Sequence, residues 1–121
     1  MKDFRDLHVW ERAHRLTLNL YTLTARFPRE ELYGLTSQIR RCGVSIGANI
    51  AEGCGKTGNN EFQRFLQIAA GSASELDYEL LLAKDLGYLV TAEYAKLSDE
   101  LSQIRKMLSS LLRKVQMDRK G

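Results

Sequence analysis

The apolar residues of this chain recur at alternating steps of three and four through most of its length. Val9, Ala13, Leu16, Leu20, Leu23 and Phe27 form a first stripe, flanked by Trp10 and Tyr21. Leu32, Leu35, Ile39, Cys42, Ile46 and Ile50 form a second. Phe62, Phe65, Ala69, Ala73, Leu76, Leu80 and Ala83 form a third, widened by Leu66, Ile68 and Leu82. Tyr94, Leu97, Leu101, Ile104, Leu108, Leu111 and Val115 form the fourth and most regular. Each spacing sets one apolar face on an α-helix. The pattern predicts helices over 7–27, 30–53, 60–86 and 92–115, with 116–121 as a frayed polar tail. No stretch of alternating polarity competes with this reading.

The breaks between stripes carry the matching punctuation. Asp6 is placed to cap the first helix, and Pro28 closes it, because the residue before a proline is pushed out of the helical region. Glu30 and Glu31 suit the start of the second helix. Gly53 to Asn60 holds three glycines and two asparagines and reads as a loop, after which Asn59 or Asn60 caps the third helix. Gly87 is placed as a left-handed C-cap residue, and Thr91 as the cap of the fourth helix. Interior glycines at Gly43 and Gly47 each cost about 1 kcal/mol relative to alanine. With Ala51 they recur every four residues, which makes a smooth ridge where a second helix can approach.

Long helices joined by short links run antiparallel to their neighbours, and a 3.5-residue period favours shallow left-handed crossings. The expected fold is all-α: an antiparallel, up-down-up-down, left-handed four-helix bundle, as one domain over residues 1–121. The 44% hydrophobic and 27% charged composition is that of an ordinary globular domain. No run reaches the roughly 20 apolar residues of a membrane span, so no membrane partner is expected. The charged N-terminus lacks the apolar run of a signal peptide, and cytoplasm is the expected compartment. Cys42 and Cys54 fit it as reduced thiols, since twelve residues of helix hold them out of disulfide range.

Candidate chemistry is sparse. Glu11 and His14 have the Glu-x-x-His spacing of di-iron bundles, but His8 and His14 are the only histidines and both lie on the first helix. No metal site and no cofactor are expected on that ligand count. Gly55-Lys56-Thr57 resembles the end of a phosphate-binding loop, but Ile50 stands where the first glycine belongs and a helix precedes it. No serine or cysteine has an identifiable base, so an enzyme is not expected. Arg41, Asn49, Glu52, Ser72 and Glu75 are polar residues within or beside the small-residue region, and a structural ion-pair network is the expected role for them. The net charge of +3 is uneven, with Arg105, Lys106, Arg113, Lys114, Arg119 and Lys120 facing only Asp118 in the tail. That bias suits the dipole of a helix C-terminus and also suits phosphate.

The stretch from Arg40 to Gly53, with its Asn49-Ile50-Ala51-Glu52-Gly53 core, resembles a bacterial four-helix-bundle family. That family includes proteins encoded within intervening sequences of large-subunit ribosomal RNA genes. Glu61-Phe62, Phe65-Leu66, Ala69 to Ser72, Glu75-Leu76 and Leu86-Gly87-Tyr88 carry the resemblance onward, and Leu7 to Trp10, Tyr21, Phe27-Pro28 and Tyr33 to Leu35 carry it upstream. It departs at Gly47, where family members usually have proline, which suggests a kink there. The resemblance implies a ring-shaped homopentamer and establishes no enzymatic activity. It also implies likeness to accessory proteins of diversity-generating retroelements, which bind nucleic acid and associate with a nucleic-acid enzyme, a reverse transcriptase. The expected function is RNA or DNA binding through Arg26, Arg29, Arg40, Arg41, Lys56, Arg64, Arg113, Lys114, Arg119 and Lys120. The alternative is a protein–protein scaffold with no nucleic-acid role, supported by apolar surface at Trp10, Tyr21 and Tyr33.

Overall fold

The computed structural model describes residues 3–120, with side chains as far as Asp118. A 3-10 turn at Phe4–Asp6 leads into α1 (His8–Thr24). A second 3-10 turn at Arg29–Glu31 precedes α2 (Leu35–Cys54), followed by α3 (Asn59–Asp85) and α4 (Thr91–Lys120). There is no strand among the described residues. Each helix packs on the next in sequence, α1 closes against α4, and the two diagonal pairs stay apart.

Neighbouring helices run in opposite senses, as their paired residues show. On α1 and α2, Tyr21 meets Arg40, while Trp10, a turn or more earlier, meets the later residue Gly47. On α2 and α3, Cys42 meets Glu75, Ser45 meets Ser72 and Gly53 meets Phe62. Asp77 and Lys84 on α3 meet Ser98 and Tyr94 on α4. Arg12 reaches Glu100 and Arg26 reaches Glu93, which sets α4 against α1 in the same way.

The four stripes are the core. Leu20, Ile39, Ile46, Ile50, Leu76, Leu80, Leu101, Ile104 and Leu108 are fully buried, each contributing about 1.5–3 kcal/mol relative to exposure. Leu66 joins them, while Phe65 is only partly buried. Of the small-residue ridge, Gly43 is the close-packing position, against α1, and Gly53, off that ridge, plays the same part against α3. A Cβ on Gly43 would lie 2.9 Å from Leu20 Cδ1, and one on Gly53 would lie 2.8 Å from Phe62 Cδ1. Gly47 faces the Trp10 indole, and α2 continues through it as uninterrupted α-helix.

Four local expectations are corrected. The second helix begins at Leu35 rather than at residue 30, because Gly34 adopts φ −114°, ψ −113°, and Glu31 Oε1 turns back to accept from Leu35 N at 3.1 Å. Leu32 is consequently exposed. The first helix ends at Thr24, and Phe27 is buried from a turn outside it. The caps are Leu7 for α1 and Gly58 for α3, without side-chain hydrogen bonds. At α4, Thr91 is the first helical residue, and Glu93 Oε1 accepts from Val90 N at 3.1 Å, as the reaching acid of a capping box does. Residues 116–120 of the expected 116–121 tail are the last turn of α4, Gly121 lying outside the described residues: no helix breaker interrupts the segment, and Val115 is buried just before it.

Gly87 does close α3. Its φ is +84°, with Gly87 N donating to Lys84 O and Tyr88 N to Ala83 O, both at 2.9 Å. Those are the two bonds of a Schellman motif.

Candidate functional site

The seam between α2 and α3 gathers a row of polar side chains that runs from the exposed Gln38, Arg41 and Glu75 to the buried Cys42 and Glu79. On α2, Gln38, Arg41, Ser45 and Asn49 follow one another at steps of three and four, with Cys42 beside Arg41, so they share a face. On α3, Ser72, Glu75 and Glu79 do the same. The antiparallel pairing brings the two rows together around a groove of about 250 Å³, lined by Gln38, Arg41, Cys42, Ser45, Ser72 and Glu75. Ser45 and Ser72 hydroxyls lie 2.8 Å apart. Asn49 Nδ2 donates to Ser45 O at 2.8 Å and to Ser45 Oγ at 3.0 Å. The Cys42 thiol donates to Glu75 Oε2 at 2.7 Å.

Below the groove floor lies Glu79, only 5% exposed. Its Oε1 has no hydrogen-bond partner. One ligand atom from each of Cys42, Glu75 and Glu79 falls within 4.8 Å of the others. Burial pushes the Cys42 thiol well above its ordinary range, and the neighbouring carboxylates of Glu75 and Glu79 push it further. Burial likewise raises the Glu79 carboxyl; the Glu75 charge adds to the rise, while the Cys42 hydrogen bond and the Arg41 charge oppose it.

Of the polar cluster read from the sequence, Arg41, Asn49, Ser72 and Glu75 meet here. Glu52 does not: it is exposed and pairs with Lys56 at 3.9 Å. Sequence reasoning missed Cys42, Ser45 and Glu79 as members. The available signal was register, since Glu79 lies seven residues after Ser72 and four after Glu75. The histidines contribute nothing to the seam. His8 and His14 are exposed on α1, and His14 stacks on Trp10 with ring centroids 4.9 Å apart.

The ten basic candidates separate into distinct environments. Arg26 pairs with Glu93 at 2.7 Å, Arg64 with Glu61 at 3.2 Å, and Lys56 with Glu52. Arg40 is held inward: Nε donates to Thr24 Oγ1 at 2.9 Å, a second nitrogen donates to Tyr21 O at 3.3 Å, and the guanidinium lies over the Tyr21 ring. Arg29 is exposed beside Pro28, and Arg41 lines the seam groove. Arg113 and Lys114 are exposed on α4, whereas the side chains of Arg119 and Lys120 lie outside the described residues.

A second surface emerges around Arg113. Ser102, Arg105, Lys106, Ser109, Ser110 and Arg113 line an open groove of about 670 Å³ along one side of α4. From Leu101 to Met117 the helix carries no acidic residue. Arg105 is shared with Asp77 of α3 at 3.6 Å.

The chain matches the family described as 23S rRNA-intervening sequence protein over residues 5–110. It is also similar to a crystal structure from Bacteroides thetaiotaomicron, a protein of unknown function from the S23 ribosomal protein family. The TM-score is 0.81 at 27% identity, covering 87% of this chain and 95% of the other. No curated protein matches the chain. Among the described residues, no helix is long and apolar enough to cross a membrane.

Proposed function

The chain belongs to the 23S rRNA-intervening sequence protein family, and from that premise we propose that it is a non-enzymatic, self-associating helical bundle that binds RNA or DNA along α4. One observation carries the reading: three cations and three hydroxyls share one groove on a helical segment free of acidic residues. Arginine and lysine supply charge to phosphate oxygens, and serine hydroxyls add directional hydrogen bonds. Arg26, Arg40, Arg64 and Lys56 already have partners within the chain. The reading therefore moves the main phosphate contacts from the loops to Lys106, Arg113 and Lys114, with Arg105, itself paired with Asp77 at 3.6 Å, lining the same groove.

Self-association multiplies this surface. A ring of copies, which the sequence resemblance implies, repeats the α4 groove once per protomer. Exposed apolar residues give such an assembly material to bury: Tyr33 is 94% exposed, and Leu32 beside it is exposed too. Titration of a labelled single-stranded RNA at two salt concentrations tests the proposal. With about three phosphates neutralised per protomer, affinity falls ~20- to 40-fold between 50 and 200 mM salt. Absence of binding at the lower salt, or binding indifferent to salt, refutes it.

The Tyr33 exposure favours a second reading, a protein–protein scaffold. Retention of a protein partner from nuclease-treated lysate, together with no RNA or DNA binding, would replace the first reading by this one.

A further inference from the structure

We propose that Cys42, Glu75 and Glu79 form a binding site for one divalent cation of zinc's class, joining α2 to α3. The three residues come from two antiparallel helices and present one sulfur and two carboxylates, with ligand atoms within 4.8 Å of each other. A four-coordinate ion with metal–sulfur distances of about 2.3 Å and metal–oxygen distances of about 2.0–2.2 Å sets its ligand atoms ~3.5 Å apart. Cys42 Sγ and Glu75 Oε2 are 2.7 Å apart, and the three ligand atoms all lie within 4.8 Å of one another, so that spacing is close to the one present. Small rotations of the two carboxylates suffice to reach it.

Glu79 supplies the independent argument. A carboxylate on a helix face packed against a neighbouring helix needs a partner, because an unsatisfied buried polar group costs about 1–3 kcal/mol. Glu79 is 5% exposed, and its Oε1 has none. A cation between the three side chains provides that partner. The adjoining groove, lined by Cys42 and Glu75, gives an entry path and room for a water as fourth ligand. Three anionic ligands around a divalent ion leave one negative charge, and Arg41 on the groove rim offsets it. Magnesium and calcium take all-oxygen sites, whereas a thiolate selects softer ions.

The test uses the full chain, stripped with chelator and titrated with Co²⁺ as a spectroscopic stand-in for zinc. One equivalent per protomer is expected to produce a sulfur-to-cobalt charge-transfer band and the intense visible bands of a four-coordinate ion. Cys42→Ala abolishes the charge-transfer band, Cys54→Ala leaves it, and Glu79→Gln weakens binding at least tenfold. Circular dichroism establishes that each variant is folded. As a second readout, Zn²⁺ raises the Tm of the wild type by more than that of Glu79→Gln at the same concentration. The proposal is overturned if the folded wild type shows no such band, if the band survives Cys42→Ala, or if Glu79→Gln binds as tightly as the wild type.

Discussion

Replacing Gly43 by alanine puts the close approach of α1 and α2 to a quantitative test. The added Cβ would lie 2.9 Å from Leu20 Cδ1 and 3.2 Å from Thr17 Oγ1, where ordinary carbon contacts are about 3.5–4.0 Å. Neither neighbour yields easily. Leu20 is fully buried, and the Thr17 hydroxyl donates to Ala13 O at 2.8 Å. Overpacking of this kind costs about 1–3 kcal/mol, while the better helix propensity of alanine returns about 1 kcal/mol. The net expectation is a loss of about 1 kcal/mol. Gly47→Ala is the internal control, because its Cβ would sit 3.5 Å from Trp10 Nε1, an ordinary contact. There the propensity gain stands alone, and the variant should be stabler by up to about 1 kcal/mol. Both substitutions change the unfolded chain alike, so their difference isolates the packing. Urea unfolding at one fixed protein concentration measures both, with the slope m unchanged. If Gly43→Ala gains as much as Gly47→Ala, the two helices do not meet as described.

Other outcomes follow from the same structure. Arg40→Ala removes one hydrogen bond to the buried Thr24 hydroxyl, which still donates to Leu20 O at 2.7 Å, and removes the cover over Tyr21, so denaturation should report a loss of about 1 kcal/mol, while RNA affinity stays within twofold. Glu79→Met in chelator removes a buried carboxyl with an unpartnered oxygen, and stability should rise by about 1 kcal/mol; a loss of that size would mean the carboxyl is satisfied in solution. Gly87→Ala forces φ near +84° on an L side chain, and the Tm should fall with a cost of about 1 kcal/mol.

The helices were legible in the sequence because burial here follows a strict period. Ile39, Cys42, Ile46 and Ile50 are all buried on α2, and Leu97, Leu101, Ile104 and Leu108 are all buried on α4. Gly34 was harder, since a glycine inside a continuing apolar stripe is compatible with helix until the Glu31 side chain is seen taking over the Leu35 amide. The N-caps lie one or two residues from the polar candidates for a similar reason. Backbone geometry decides which residue is half in the helix, and a polar side chain nearby is only permissive. The polar seam was half legible. Ser72 and Glu75 stand out beside small residues, but Glu79 looks like any acid on a solvated face until α2 covers it. Cys42 fits the apolar stripe of α2 as a core thiol, and both histidines lie on α1, so nothing in the sequence marks it as a ligand. The α4 groove was partly visible as a basic tail. Its serines, and the internal partners that occupy Arg26 and Arg40, required coordinates.

The most direct measurement of nucleic-acid binding along α4 compares the wild type with the Lys106→Gln/Arg113→Gln/Lys114→Gln variant, titrating the same single-stranded RNA across salt concentrations. Arg26→Gln/Arg64→Gln serves as the control for basic residues already paired within the chain. The wild type and the control should share a slope of log affinity against log salt of about −2 to −3. In the triple variant the slope should collapse toward zero with affinity lost at low salt. An unchanged slope and affinity in the folded triple variant would contradict the assignment of phosphate binding to α4.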